Sequence, residues 1–243
     1  MDLKTYQSMD AVGLAELVRK KEVSPRELAD LAFNRLEEVN PKLNAIARTR
    51  RERAYQEIDQ LIDRGQPFFG VPLFLKDISQ ALEGEVLSSG SKLLTNHVAT
   101  RDSNFVARLK EAGFIMLGHT TTPEFGLKNI TEAEVYGPTR NPWNLKHSPG
   151  GSSGGAAALV ASGVVPVAGA SDGGGSIRIP AGFSGLFGLK PTRGRTPVGP
   201  SAWRNWQGAS IDFVLSRSVR DSAALLDALQ VIQPEAAYQT PLY

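Results

Sequence analysis

Three consecutive glycines, Gly173, Gly174 and Gly175, lead directly into Ser176, and a serine pair, Ser152-Ser153, sits between two glycine pairs 24 residues upstream. Glycines leave main-chain N–H groups unobstructed, so those before Ser176 can converge on a negative charge developing beside its Oγ, as an oxyanion hole requires. On that geometry Ser176 is the better nucleophile candidate. Asp172 and Arg178 flank the loop and are the only charges in positions 148–189, a 42-residue stretch that holds 12 of the 24 glycines. If buried, they must pair with each other or with backbone groups, and we read them as braces for the glycine loop. Each glycine costs conformational entropy on folding, so the concentration needs a physical reason. Close packing of helices on strands is one; a site built from backbone amides and small hydroxyls is another, and both can hold.

A serine needs a base. Gly151-Ser152-Ser153-Gly154-Gly155 formally fits the nucleophile elbow with Ser153 at its centre. That motif should follow a strand and precede its histidine, whereas here it follows a polar loop and His97, His119 and His147 all come earlier. Ser89-Gly90-Ser91-Lys92 fits the S-x-x-K pattern without the Lys-Thr-Gly that should follow. No P-loop, dinucleotide-binding glycine motif or H-E-x-x-H zinc motif is present. A lysine kept neutral by burial is the remaining common base, since desolvation lowers a lysine pKa. Lys76 has the right context, at the end of the apolar run 71–75; the alternative is a solvated lysine beside Asp77.

Basic and acidic side chains nearly balance, 27 against 25, which gives no phosphate-binding surface and no expectation of nucleic acid as a partner. With no cysteine, disulfides, thiolate metal sites and thiol nucleophiles are excluded. No apolar stretch resembles a secretory signal or a membrane span, so the expectation is a soluble cytoplasmic protein without a membrane partner.

The elements that must position these residues are legible in outline. Ser24-Pro25-Arg26-Glu27 is a capping box opening a helix that carries Leu28, Leu31, Ala32, Leu36 and Val39, with Asn40-Pro41 expected to stop it. An upstream helix carries Ala11, Leu14 and Val18; a downstream one carries Ala54, Ile58, Leu61 and Ile62 and is expected to end near Gly65. Apolar runs at 71–75, 114–117 and 164–168 suit strands covered on both faces. Phe105, Val106, Leu109 and Ala112 make a helical stripe, 156–161 a helix of small residues, and Ser218 caps a last helix through Leu225, Leu226 and Leu229. The pattern predicts an α/β fold with a mixed central sheet covered by helices on both faces. The apolar tail Gln239-Thr240-Pro241-Leu242-Tyr243 reads as a chain cut in mid-fold.

At four places the sequence resembles the amidase signature family: Gly70-Val71-Pro72 leading to Lys76-Asp77, the Gly150 to Gly155 segment, Asp172-Gly173-Gly174-Gly175-Ser176-Ile177-Arg178-Ile179-Pro180, and Gly188-Leu189-Lys190-Pro191-Thr192. The resemblance implies a Ser-cisSer-Lys acyl-enzyme mechanism. Ser176 would be the nucleophile, Ser152 the bridging serine behind a cis peptide bond, and Lys76 the neutral base. The amides of Gly173, Gly174, Gly175 and Ser176 would form the oxyanion hole, Ser153 would support them, and no metal or organic cofactor is implied. The substrate would be a small-molecule amide, and homo-oligomerisation is left open. Ala170-Ser171-Asp172, Lys190-Pro191-Thr192-Arg193-Gly194-Arg195 and the segment from Ser216 to Ala223 look most like bacterial amidases of the 6-aminohexanoate cyclic dimer hydrolase type. The glutaminyl amidotransferase A-type subunits look less alike, because Ile179 stands where they usually carry Gln. Family members are longer, so the resemblance implies one domain over 1–243 that is C-terminally incomplete, with a non-catalytic truncated remnant as the competing reading.

Overall fold

A computed structural model describes residues 1–241; Leu242 and Tyr243, part of the apolar tail, lie outside the described residues. The chain opens with helices α1 (Leu3–Ser8), α2 (Ala11–Arg19) and α3 (Pro25–Leu43), then β1 (Ile46–Thr49), α4 (Arg51–Asp59) and β2 (Pro72–Lys76). It continues with α5 (Asn104–Glu111), β3 (Ile115–Thr120), a short hairpin of β4 (Glu132–Ala133) and β5 (Gly137–Pro138), α6 (Gly154–Ala161), β6 (Val167–Asp172), α7 (Arg178–Ser184), β7 (Ile211–Ser216) and α8 (Val219–Leu229).

The main sheet has the order β1-β3-β2-β6-β7. β2 runs parallel to β3 and β6, while β1 and β7 pair antiparallel with β3 and β6, so the sheet is mixed. Every residue of β2, β3, β6 and β7 is buried, which requires cover on both faces and explains the continuous apolar runs. α3 and α6 pack on β2, α4 on β3 and α8 on β7.

α3 starts at the predicted capping box, where Ser24 Oγ accepts the Glu27 amide and Glu27 Oε2 accepts the Ser24 amide. It does not stop at Asn40-Pro41. Proline in the last turn removes a single amide, and the helix runs on to Leu43, ending where Asn44 turns left-handed at φ 50°. α4 ends at Asp59, earlier than its apolar spacing predicts, and Ile62 beyond it is exposed. Val164 and Val165 are buried but precede β6, which starts at Val167 and carries the chain to Asp172.

The chain's opening is fastened to α8. Both oxygens of Asp221 accept amides at the start of α2, from Ala11 at 2.9 Å and Val12 at 3.0 Å, and Arg220 pairs with Asp10. α6 enters the core through two glycines. A Cβ on Gly155 would stand 2.6 Å from the Thr121 amide nitrogen and 2.7 Å from the Ala45 carbonyl, neither of which can swing aside. Gly155→Ala is therefore expected to cost about 2–3 kcal/mol by overpacking, read as a lowered urea midpoint with unchanged slope.

Candidate active site

Lys76 is the last residue of β2, and its side chain is fully buried. Nζ lies 2.7 Å from Ser152 Oγ and 2.9 Å from Ser171 Oγ. The solvated alternative is thereby removed. Asp77, next in sequence, turns the other way: its oxygens take Arg48 Nη1 and Nη2 at 2.9 and 2.8 Å and the Tyr136 hydroxyl at 2.8 Å. Burial lowers the Lys76 pKa to about 7, against the partial opposition of the negative charges of Asp212 and Asp172. Burial likewise raises Asp212 to about 6, although Ser79 and Gln80 donate hydrogen bonds to it.

The Gly151–Ser152 peptide bond is cis. The loop around it packs against main chain, since a Cβ on Gly151 would meet backbone atoms of Ile130 at 2.7–2.8 Å. The Ser152 carbonyl accepts the Thr122 hydroxyl at 3.0 Å. Ser153 begins α6, and its Oγ both donates to the Ser171 carbonyl and accepts the Ser171 amide, each at 3.3 Å. That hydroxyl is committed to the backbone of β6, which leaves the nucleophile-elbow reading without a nucleophile.

The glycine loop is held by Asp172. Its carboxylate is fully buried and accepts the amides of Gly175 at 2.8 Å, Ile177 at 3.1 Å and Arg178 at 3.3 Å. Arg178 Nε and Nη2 complete the set at 2.9 Å each. Burial works against this anion, but the guanidinium and the three amides outweigh it and hold its pKa below the ordinary carboxylate value. Of the four amides expected to form an oxyanion hole, that of Gly175 donates to Asp172 Oδ1, whereas those of Gly173, Gly174 and Ser176 have no protein partner among the described residues. A Cβ on Gly173 would stand 2.5 Å from the Trp206 ring, so the ring would have to shift to admit one.

Ser176 makes no side-chain hydrogen bond among the described residues. It lines a cavity of about 450 Å³ together with Ser152 and Ser171, under walls that include Ile78, Phe125, Leu127 and Trp206. Sequence reasoning missed Ser171, the second partner of the Lys76 amine, as well as Gln80 and Asp212. Ser171 had a signal, as the polar neighbour of Asp172 at a strand end. Asp212 had a weaker one, as the single charge in the buried strand β7. Among the described residues there is no group of three His, Asp or Glu able to hold a metal ion, and no helix is long and apolar enough to cross a membrane.

The family model described as Amidase matches residues 27–243. The lipoamidase of Enterococcus faecalis is 47% identical over 224 residues, covering 92% of this chain and 30% of that protein. The 6-aminohexanoate-cyclic-dimer hydrolase of Paenarthrobacter ureafaciens is 43% identical over 236 residues, covering 96% of this chain and 47% of that protein. A solved structure of 6-aminohexanoate cyclic dimer hydrolase complexed with substrate superposes with TM-score 0.92 at 41% identity, over 100% of this chain and 50% of that one. A glutamyl-tRNA(Gln) amidotransferase structure from Thermotoga maritima superposes at 0.83 with 29% identity, over 98% of this chain and 50% of that one. The chain thus spans half or less of the length of these relatives. By the match over residues 27–243 and the shared fold, it belongs to the amidase signature family.

Proposed function

We propose that this chain, as one domain over 1–243, carries the acylation centre of an amidase that cleaves a carboxamide through Ser176, Ser152 and Lys76. The observation that carries the reading is the fully buried Lys76 amine, 2.7 Å from Ser152 Oγ in the cavity that Ser176 lines. In this mechanism Ser176 Oγ attacks the amide carbon. Its proton passes to Ser152 Oγ as the Ser152 proton passes to neutral Lys76. The amides of Gly173, Gly174 and Ser176 take the oxyanion, and electrostatic help of that kind is commonly the largest catalytic contribution. Lys76 then returns the proton through Ser152 to the leaving amine. Water, activated by the same route, hydrolyses the acyl-serine. Ser171, hydrogen-bonded to the amine, and Ser153, which braces Ser171, hold the base in line.

The favoured substrate is an amide flanked by flexible aliphatic chain. The apolar walls Ile78, Phe125, Leu127 and Trp206 support it, as do relatives named for lipoamide and for the 6-aminohexanoate cyclic dimer. We place the enzyme in the cytoplasm.

A fluorophosphonate probe tests the reading. Attack by Ser176 with loss of fluoride is expected to give one adduct by intact mass, mapped to Ser176. Folded protein that takes no label is instead the non-catalytic remnant. Because the base must be neutral, the labelling rate is expected to rise with pH along a single limb centred near the Lys76 value of about 7. A rate flat between about pH 5.5 and pH 8.5 overturns the assignment of Lys76 as base.

A further inference from the structure

The turn after β2 sends one side chain back between two strands. Phe74 faces Ala168 where β2 pairs with β6, and the same register carried two residues on would bring Lys76 opposite Ala170. At that level the strands are joined through a third party. Gln80 Oε1 accepts the Lys76 amide at 2.8 Å, and Gln80 Nε2 donates to the Ala170 carbonyl at 3.0 Å. A primary amide offers a planar acceptor and donor much as a peptide unit does, so the Gln80 carboxamide takes the place of a rung in the ladder.

The surroundings are shaped to hold it there. Gln80 is fully buried. A Cβ on Gly169 would stand 2.0 Å from Gln80 Oε1, so the carboxamide lies over the one residue of β6 that leaves room for it. His119 Nε2 on β3 lies 3.2 Å from the Gln80 carbonyl and fixes its main chain, and Gln80 Nε2 also lies 3.4 Å from Asp212 Oδ1 on β7. Adjacent strands ordinarily stand about 4.8 Å apart. A carboxamide between them holds the end of β2 at a greater, set distance from Ser171, whose hydroxyl the Lys76 amine reaches at 2.9 Å.

We propose that Gln80 is the positioning residue of the base: by standing in for one peptide unit between β2 and β6, it sets the gap across which Lys76 Nζ reaches Ser171 and Ser152. This inference rests on the reading of Lys76 as the base. The charged groups bearing on Lys76 are Asp212 from β7 and Asp172 from the end of β6. His119 is held neutral, its pKa lowered to about 4 chiefly by burial, and Asp77 is paired with Arg48 of β1.

The test follows the Lys76 amine itself, by the ¹³Cε resonance of lysine-labelled protein assigned through Lys76→Met, beside the rate at which Ser176 takes a fluorophosphonate. Gln80→Ala removes both hydrogen bonds, and labelling is expected to slow about 100-fold. Gln80→Glu keeps the shape. While protonated it retains an acceptor and a donor, and once ionised it places a carboxylate beside the Lys76 amide that favours the ammonium form. Its Lys76 midpoint is expected to rise by about one pH unit, with labelling at pH 7 slowed about fivefold. Gln80→Met keeps the length of the side chain without its donor or acceptor, and a folded Gln80→Ala or Gln80→Met protein whose Lys76 midpoint and labelling rate both match the unaltered chain overturns the proposal. Lys76→Ala separates the two claims. If it labels at the unaltered rate, the base reading fails; if it does not label while Gln80→Ala or Gln80→Met behaves as the unaltered chain, only the role of Gln80 fails.

Discussion

Lys76→Met is expected to slow fluorophosphonate labelling of Ser176 by at least about 1,000-fold and, in the same protein, to abolish a pH-dependent gain in stability. The first effect follows from removal of the general base. The second follows from linkage. Lysine in the unfolded chain titrates at its ordinary value of 10.5, and Lys76 in the folded chain at about 7. Between those values the unfolded state binds a proton that the folded state does not, so raising the pH favours folding. The gain is absent below about pH 7 and complete above the unfolded value. It amounts to about 5 kcal/mol over the whole window. Methionine fills a similar volume and does not titrate. Urea unfolding at about pH 7 and about pH 9 should therefore show the unaltered protein gaining stability relative to the variant. Parallel behaviour of the two would mean that the folded protein carries Lys76 charged, and the proposed proton path would fail with it.

Asp172→Ala is expected to be the most damaging change in the glycine loop, costing about 3 kcal/mol of stability and at least about 100-fold in labelling rate. The reason is the number of groups that one carboxylate satisfies: three loop amides and two guanidinium nitrogens. Without it the Gly175, Ile177 and Arg178 amides lose their acceptor together, and the loop has no reason to keep the Gly173, Gly174 and Ser176 amides free. Arg178→Ala should cost less. The guanidinium is half exposed, with 54% of its side-chain surface accessible, and the three amide bonds to Asp172 survive its removal. Equal losses in the two variants would show that the ion pair, and not amide capture, holds the loop. Unfolding midpoints and labelling rates on the same samples decide between them.

Much of this arrangement is legible in the residues because local chemistry and global position agree. The capping box at Ser24, the apolar runs that become β2 and β3, and the glycines around Ser152 and Ser176 each answer to one local constraint. What sequence reading missed depends on contacts between distant segments. Nothing near Pro41 announces that α3 runs on to Leu43, because one lost amide is tolerated when the helix packs on β2. Gln80 looks like a polar turn residue until β6 is set beside β2 and Gly169 is found beneath its carboxamide. Asp212 becomes a neighbour of the base only through the antiparallel register that sets it opposite Ser171. Inside the glycine loop, nothing in the sequence announces that Asp172 accepts the Gly175 amide.

The fastening of α2 by Asp221 reaches beyond the candidate site. The first 26 residues precede the segment that the family model matches, yet the amides of Ala11 and Val12 close on Asp221, and Asp10 closes on Arg220, more than 200 positions away. The two segments are therefore mechanically coupled. A chimera that grafts a foreign opening segment onto this body inherits an orphaned acid at position 221 unless the new segment presents two helix-start amides to it. Recombination between relatives should accordingly keep the segments around Asp10 and Asp221 together.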